Sequence, residues 1–234
     1  DFMLLTHAHI DHSGRIPKLY VDGYRNPVIA TKATCDLCSI MLPDSNFEFE
    51  TNVFNNANNL TELKFNKNTN ITTNLGLIFN GCNKLSTFVV DEENNNFKGN
   101  DNLLLSKDEK EIILAAPKYE YGNYTISEGI ESIKESAFSG VTTLTSLTLP
   151  NTLEYIGKFA FGYCENLTTL TLVKNITIDE KAFGGCKNLS TINNIEYIKN
   201  FAPYVFASTA IVTLSLEDVV ISESAFAGIT TLKE

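Results

Sequence analysis

Apolar residues recur along this chain at a spacing typical of stacked repeats. Each copy starts with a phenylalanine and continues with apolar residues about six, nine and eleven positions later. From the third copy onward, successive copies start 20 to 23 residues apart. A period in this range indicates an array of small structural units. The seven copies start at Phe54, Phe79, Phe138, Phe161, Phe183, Phe206 and Phe226.

The leucine-rich piece of each copy alternates apolar and polar residues, as in Leu170-Thr171-Leu172. Period-two alternation turns two side chains toward the inside and sends the residue between them to solvent. One repeat cannot bury its apolar side alone, whereas stacked copies share continuous apolar columns. Burial of each Leu or Phe contributes about 1.5–3 kcal/mol. The pattern therefore predicts a solenoid of short strands.

A second apolar pair precedes several of the phenylalanines and predicts a second strand-like piece in each repeat, at 130–133, 153–156 and 195–198. The period is interrupted at residues 91–125. Two apolar pieces within this interruption, 103–105 and 112–114, flank a charged turn and predict a β-hairpin insertion.

The segment 156–172 reads Ile-Gly-Lys-Phe-Ala-Phe-Gly-Tyr-Cys-Glu-Asn-Leu-Thr-Thr-Leu-Thr-Leu. It resembles the BspA-like leucine-rich repeats, and so does 137–150, which ends in Leu-Pro. This resemblance covers about residues 54–234, and the interruption is similar to the hairpin insertion of that family. It implies an α/β leucine-rich-repeat solenoid, mostly β with short helical turns, that recognises proteins or cell surfaces without catalysis. We place this domain at 47–234.

The outward strand positions of four copies form a polar array that we predict to be the binding surface. As a concave face of a solenoid it would present hydroxyl and amide groups, although a solvated sheet face would look the same. The positions are Ser146, Thr148, Thr169, Thr171, Thr191, Asn193, Thr213 and Ser215.

Charge and hydropathy exclude some partners. The 28 acidic and 18 basic residues give a formal net charge of −10, which disfavours nucleic acid because that interaction needs basic residues to neutralise phosphates. No run of 18 apolar residues predicts a membrane span. The chain starts at Asp1 without a methionine and stops within a repeat, so we expect both ends to be cut.

Residues 1–46 share none of the repeat period. A predicted strand at 2–5 leads into Thr-His-Ala-His-Ile-Asp-His-Ser-Gly at 6–14. Imidazole and carboxylate groups at this spacing are typical zinc ligands, and a bound zinc ion lowers the pKa of a water molecule to make a nucleophile. The candidate metal ligands are His7, His9, Asp11 and His12.

This motif resembles the metallo-β-lactamase fold, and its continuation to residue 45 is similar to the β-CASP branch, which contains RNA-processing nucleases. The resemblance implies that His7 and His9 bind one zinc ion, that Asp11 and His12 bind the other, and that Asp11 handles the proton of the attacking water. These are the only three histidines in the chain, so the further imidazole ligands of such a site are missing. We therefore interpret 1–46 as an incomplete α/β fragment. Its junction with the repeat domain near Asn46 has two explanations, a natural gene fusion or an artefact of gene prediction or assembly.

Two functions follow, a non-catalytic binding scaffold for protein or surface recognition and, as the alternative, a zinc-dependent hydrolase of the ribonuclease type. The repeat domain needs no cofactor, whereas the N-terminal motif would hold zinc. The repeat family suggests a secreted or cell-surface location, and the fragment suggests the cytoplasm. The five cysteines give no disulfide framework. We expect Cys35 and Cys38 to share one face of a helix, and Cys82, Cys164 and Cys186 to lie in the core.

Overall fold

The structure is a computed structural model that describes residues 60–67, 69, 71, 74–79, 81–100, 102–174 and 176–232, together with the backbone of 3–5 and 28–30. Short strands dominate it. The strands are β1 (Met3–Leu5), β2 (Val28–Ala30), β3 (Glu62–Phe65), β4 (Thr87–Val90), β5 (Phe97–Gly99), β6 (Leu103–Ser106), β7 (Glu111–Ala115), β8 (Gly122–Thr125), β9 (Ser132–Ile133), β10 (Leu144–Thr148), β11 (Tyr155–Ile156), β12 (Thr169–Thr171), β13 (Thr177–Ile178), β14 (Thr191–Asn193), β15 (Asn200–Phe201) and β16 (Val220–Ile221). The described helical elements are α1 (Leu75–Ile78) and a 3₁₀ turn (Ile195–Tyr197).

Two sheets run along the solenoid, and the repeats of Phe138, Phe161 and Phe183 each contribute one strand to both of them. The first sheet has the order β14-β12-β10-β8 and is parallel throughout. We call it the threonine sheet. The second has the order β13-β11-β9-β7-β6-β5 and takes in the insertion, so we call it the insertion sheet. Parallel pairs β1–β2, β3–β4 and β15–β16 form three smaller sheets.

A column of stacked phenylalanine rings lies between the two sheets. The ring centroids of Phe138 and Phe161 are 4.9 Å apart, and those of Phe161 and Phe183 are 5.1 Å apart with their planes only 2° from parallel. Phe206 and Phe226 continue the column at 5.5 and 6.1 Å. The predicted alignment of Phe138, Phe161 and Phe183 is therefore confirmed, and all three side chains are fully buried.

The turn around each of these phenylalanines places two residues in the left-handed conformation. One lies two positions before the ring, as Phe159 (φ 53°) and Lys181 (φ 56°) do. The other lies two positions after it and is glycine in most repeats, for example Gly185 (φ 78°). Glycine adopts this conformation without a steric penalty, whereas a side chain costs about 1–2 kcal/mol. Each repeat therefore carries local backbone strain that its packing has to offset.

The predicted hairpin is confirmed as β6 and β7, which pair antiparallel, and a third strand that the sequence pattern did not indicate, β5, pairs antiparallel with β6. The buried side chain of Asn94 anchors this insertion. Its amide nitrogen donates to the carbonyl oxygens of Asn66 (2.5 Å) and Thr69 (3.1 Å). Its carbonyl oxygen accepts from the backbone N–H groups of Asn96 and Phe97, both at 2.8 Å.

The apolar interior forms two clusters, because the insertion separates the early repeats from the later ones. One cluster is built around Phe65, Ile78 and Phe88, and the other around the phenylalanine column. Cys82 lies in the first cluster and Cys164 and Cys186 in the second, all fully buried as predicted. Burial raises the pKa of the Cys164 thiol, whose S–H donates to the carbonyl oxygen of Phe138 at 3.1 Å.

The prediction of a strand-like piece at 195–198 was wrong. The second strand of each repeat ends five residues before the phenylalanine, at Ile133, Ile156 and Ile178. The same count back from Phe206 reaches Phe201, which lies in β15, so 195–198 was three residues out of phase. Residues 195–197 instead form the 3₁₀ turn, which follows left-handed Asn194.

The predicted fold class, a mostly β leucine-rich-repeat solenoid with an inserted hairpin, is confirmed. Within 2–5, the predicted strand is present as β1. Phe54, Cys35 and Cys38 lie outside the described residues. In the part of the chain that the structure describes, no helix is long and apolar enough to cross a membrane.

Candidate binding surface

The threonine sheet brings six of the eight predicted surface residues into two ranks. Ser146, Thr169 and Thr191 are paired in register across β10, β12 and β14, and Thr148, Thr171 and Asn193 form the parallel rank two residues further along. Neighbouring strands of a sheet lie about 4.7–4.9 Å apart. The array is therefore a regular grid of hydroxyl groups with one carboxamide.

Strand β8 extends each rank by one member that the sequence analysis missed. Asn123 is paired with Ser146, and Thr125 with Thr148. Asn123-Tyr124-Thr125 shows the same alternation as the other copies, but the insertion displaces the phenylalanine that would have marked it. Both side chains are exposed.

The remaining two predicted residues, Thr213 and Ser215, are exposed but do not lie in a strand. The sheet ends at β14, and residues 211–217 form no strand. The prediction that these two occupy strand positions was therefore wrong. The copy that starts at Phe206 is only 20 residues long, whereas the three copies before it have 22 or 23. We attribute the missing strand to this shorter length.

Hydrogen bonds restrain three of the outward side chains, those of Asn123, Thr171 and Asn193. The hydroxyl of Thr145 donates to the Oδ1 atom of Asn123 at 3.1 Å, and the hydroxyl of Thr168 donates to the carbonyl oxygen of Thr145 at 3.0 Å. At the other end of the sheet, the amide nitrogen of Asn193 donates to the Thr171 hydroxyl oxygen at 3.0 Å. The contacts at Asn123, Thr171 and Asn193 reduce the freedom of these three side chains, which lowers the entropy cost of ordering them when a partner binds.

Charge separates the threonine sheet from the insertion sheet. None of the outward residues of β8, β10, β12 and β14 is ionisable, although one fifth of the chain is charged. On the insertion sheet, ion pairs join successive repeats: Lys110 to Glu131 and Lys134 to Glu111, both at 2.6 Å, and Lys158 to Glu180 at 2.8 Å. A partner that covers only the outward residues of these four strands would therefore desolvate no charged side chain among them.

These contacts shift pKa values on the insertion sheet. The hydrogen bond from Lys158 lowers the pKa of the Glu180 carboxyl group. Burial, together with a hydrogen bond to Asp179 at 2.7 Å, raises the pKa of Tyr155 to about 12. Glu128 lies outside the insertion sheet, in the turn between β8 and β9. A hydrogen bond from the backbone N–H of Asn151 holds the pKa of its carboxyl group below the usual value.

The candidate metal ligands His7, His9, Asp11 and His12 lie outside the described residues, so zinc binding stays a prediction. Among the residues that are described, no group of three or more His, Cys, Asp or Glu side chains could hold a metal ion. The described repeats therefore define a stacked scaffold with a polar face.

A family profile agrees with this class. The BspA type leucine rich repeat region matches six copies at residues 32–102 and 118–233. The chain belongs to the BspA-type leucine-rich-repeat family.

Solved structures show the same fold. The pneumococcal vaccine antigen PcpA superposes with a TM-score of 0.63 at 22% identity, over 86% of this chain and 49% of that one. A leucine-rich cell surface protein of Faecalibacterium prausnitzii gives 0.53 at 21% identity, over 88% and 46%. The chain thus spans about half the length of these two proteins.

Among curated proteins, the similarity is confined to a short N-terminal stretch. Over 45 residues the chain is 60% identical to Ribonuclease TTHA0252 of Thermus thermophilus, which is 19% of this chain and 10% of that protein. Over 44 residues it is 48% identical to transcription termination factor FttA of Methanothermobacter thermautotrophicus, or 7% of that protein. The chain therefore spans about a tenth or less of the length of these curated relatives.

Proposed function

We propose that this protein is a non-catalytic scaffold that recognises a protein partner at a cell surface through its threonine sheet. The observation that carries the proposal is the two-rank array of uncharged polar side chains, which repeats across four strands. Such a face offers donors and acceptors at low cost of desolvation, because no buried ion pair has to form. The cell-surface neighbour from Faecalibacterium prausnitzii supports the location.

Binding of the labelled chain to intact cells, before and after their surface proteins are removed by protease, tests this proposal. Thr171→Lys places a charge in the centre of the array and should lower binding at least about tenfold, because the ammonium group would have to be desolvated. Asn95→Lys is the matched control, since Asn95 is exposed in the turn before β5. Equal binding by both variants would contradict the proposal, and so would binding that survives protease treatment.

The hydrolase alternative has a separate test. The similarity of the N-terminal stretch to a ribonuclease supports the identity of the motif, while the histidine count argues against a complete site. We expect the purified chain to hold less than stoichiometric zinc and to leave RNA intact. Stoichiometric zinc, together with RNA cleavage that a chelator abolishes and added zinc restores, would establish the alternative instead.

A further inference from the structure

A cavity of about 720 Å³ lies where the insertion sheet meets the last repeats. Its lining comes mainly from β11, β13, β15 and β16. Strands β13 and β15 lie side by side, but within the described part of the chain no ladder of backbone hydrogen bonds joins them. The 3₁₀ turn that follows left-handed Asn194 replaces the extended approach to β15. The cavity lies at this irregularity, and its volume is typical of a small-molecule site.

Outward side chains of these strands form the polar part of the lining. In each repeat, the residue five positions before the phenylalanine is inward, as the buried Ile156, Ile178 and Phe201 are. Because side chains alternate along a strand, the residues on either side of this position face outward. They form one rank before the inward residue and a second rank after it. The first rank includes Tyr155, Thr177 and Asn200, and the second includes Asp179, Ala202 and Ser222.

The lining contains a carboxylate that is held in place through both of its oxygens. The Oδ2 atom of Asp179 accepts the Tyr155 hydroxyl at 2.7 Å, and its Oδ1 atom accepts the backbone N–H of Glu180 at 2.6 Å. A carboxylate has about four acceptor positions, so each oxygen keeps one for a ligand. Gly157 and Ala202 occupy the same position as Asp179 in the adjacent repeats, and their small size leaves the carboxylate accessible.

Tyr155 supplies an aromatic surface beside this carboxylate. Its backbone belongs to β11 and its hydroxyl reaches Asp179 at the end of β13, so the ring extends across the outer face from one strand to the next. The residue stays 37% exposed. The side chains of Thr177 and Asn200 are exposed and make no hydrogen bond with other described residues. The cavity therefore combines an exposed ring, a fixed acceptor and polar groups that are free to bind a ligand.

These groups match the chemistry of a sugar ring. A hexopyranose has C–H groups on its faces, which pack on an aromatic ring, and hydroxyl groups around its edge, each of which donates and accepts. Asp179 can accept from such hydroxyls, and the carboxamide of Asn200 can both donate and accept. An anionic ligand suits the cavity less well, because Asp179 and Glu154, which also lines it, would repel a negative charge.

We propose that this cavity is a second binding site, which binds a neutral sugar unit of a glycan against Tyr155 and Asp179. The site lies on the other side of the phenylalanine column from the threonine sheet. It does not depend on the protein partner proposed for that sheet, so the two sites can be tested separately.

NMR titration of the labelled chain tests the site with four neutral probes, the methyl glycosides of glucose, galactose, mannose and N-acetylglucosamine. A single sugar ring has few contacting atoms, so we expect a Kd of about 1–10 mM for at least one probe. The amide signals of Thr177, Asp179 and Asn200 should shift and saturate, while those of Thr148 and Thr171 on the threonine sheet should not. The absence of saturable shifts with all four probes, or equal shifts on both sheets, would overturn the proposal.

Two variants test the residues that carry the site. Tyr155→Ala removes the ring and should weaken binding of the sugar at least about fivefold, whereas Tyr163→Ala, which is 54% exposed and outside the lining, should not. Asp179→Asn keeps the shape of the side chain but makes a weaker acceptor, and should weaken binding at least about threefold. Asp218→Asn is its control, because Asp218 is exposed outside the lining. If each variant and its control bind the sugar equally well, the proposal fails.

A charged probe tests the preference for a neutral ligand. The counterpart of the bound sugar that carries a carboxylate at C6 should bind at least about threefold more weakly, because Asp179 and Glu154 repel it. Equal or tighter binding of this acid would mean that Lys174, which also lines the cavity, governs recognition. The site would then be an anion site, and the proposal of a neutral sugar would be wrong.

Discussion

The two sheets of the solenoid share one interior and differ in what they show to solvent. Each repeat sends Leu170-like residues inward from the threonine sheet and Ile156-like residues inward from the insertion sheet, and both are fully buried. Outside, the threonine sheet presents uncharged hydroxyl and amide groups, whereas ion pairs cross the strands of the insertion sheet. Since stacking needs only the inner residues, the outer residues of each sheet can serve separate interactions.

The continuity of the two sheets also differs. The threonine sheet is unbroken from β8 to β14 and then stops, while the insertion sheet extends further toward the N-terminus and breaks after β13. A continuous face suits a partner that covers several repeats, and the outward residues of the threonine sheet stay uncharged along its whole length. The comparison therefore separates an uninterrupted, uncharged surface from one that ion pairs cross.

The largest expected effect comes from the column that both sheets share. Phe161→Ala removes a fully buried ring from between Phe138 and Phe183 and should lower the free energy of unfolding by about 3–5 kcal/mol. Urea unfolding followed by circular dichroism measures it. Tyr163→Ala, in the same turn but 54% exposed, should cost less than about 1 kcal/mol. Similar losses from the two variants would show that the column does not dominate stability.

The next effect concerns the anchoring of the insertion sheet alone. Asn94→Ala leaves four backbone hydrogen-bonding groups without their buried partner and should cost about 2–3 kcal/mol. Its exposed neighbour gives the control, since Asn95→Ala should change stability by less than about 0.5 kcal/mol. Hydrogen exchange should localise the Asn94→Ala loss to β5 and β6 and spare the threonine sheet. Uniform loss across both sheets would contradict the separation.

A smaller effect distinguishes the sheets by pH. The folded pKa of Glu180 lies below its unfolded value, so the stability it contributes is present above about pH 4.5 and is lost as the pH falls through the folded pKa. Glu180→Gln should therefore flatten the fall of stability in acid and reduce its dependence on salt. Thr171→Val, on the threonine sheet, should leave the pH profile parallel to that of the wild-type chain. Urea unfolding at pH 7 and pH 3.5 checks both, and parallel profiles for all three proteins would refute the assignment.

The sequence determined the interior better than the surface. Spacing from one phenylalanine to the next predicted the column, because identical rings stack only if the repeat length is nearly constant. Spacing failed where a local turn intervened: the apolar pair at 195–198 looked like its counterparts, but the distance to Phe206 put Phe201 in the strand instead. Counting back from each phenylalanine would have found this.

Other features depend on contacts that no periodicity contains. Asn94 is one asparagine in a polar run, and only the folded chain brings the carbonyl oxygens of Asn66 and Thr69 to it. The broken ladder after β13 likewise depends on the conformation of Asn194. On the threonine sheet, alternation predicted six positions correctly placed in strands, while β8 was missed because its marking phenylalanine is absent. Whether those positions bind a partner stays a prediction.

The smallest effect, with the opposite sign, lies in the turns that carry the chain from the insertion sheet to the threonine sheet. Two residues after the buried ring, Gly140, Gly185 and Gly228 have positive φ, and Ser208 occupies the same place with φ 57°. Ser208→Gly should raise the free energy of unfolding by about 0.5–1 kcal/mol. Glycine avoids the left-handed penalty of about 1–2 kcal/mol, but its greater conformational entropy in the unfolded chain offsets part of this gain.

Gly228→Ala is the matched opposite change. Its new Cβ atom would lie 3.0 Å from the Ser208 hydroxyl oxygen at a φ of 73°, so it should cost about 1–2 kcal/mol. Urea unfolding of both single variants and of the double variant measures the pair, and Ser208→Gly should relieve part of the Gly228→Ala loss because it removes that hydroxyl. A destabilising Ser208→Gly would mean that the serine side chain, rather than the backbone conformation, matters at this turn. Both sheets would then depend on side-chain contacts in the turns that join them. A change on the outer face of one sheet could then affect the other sheet.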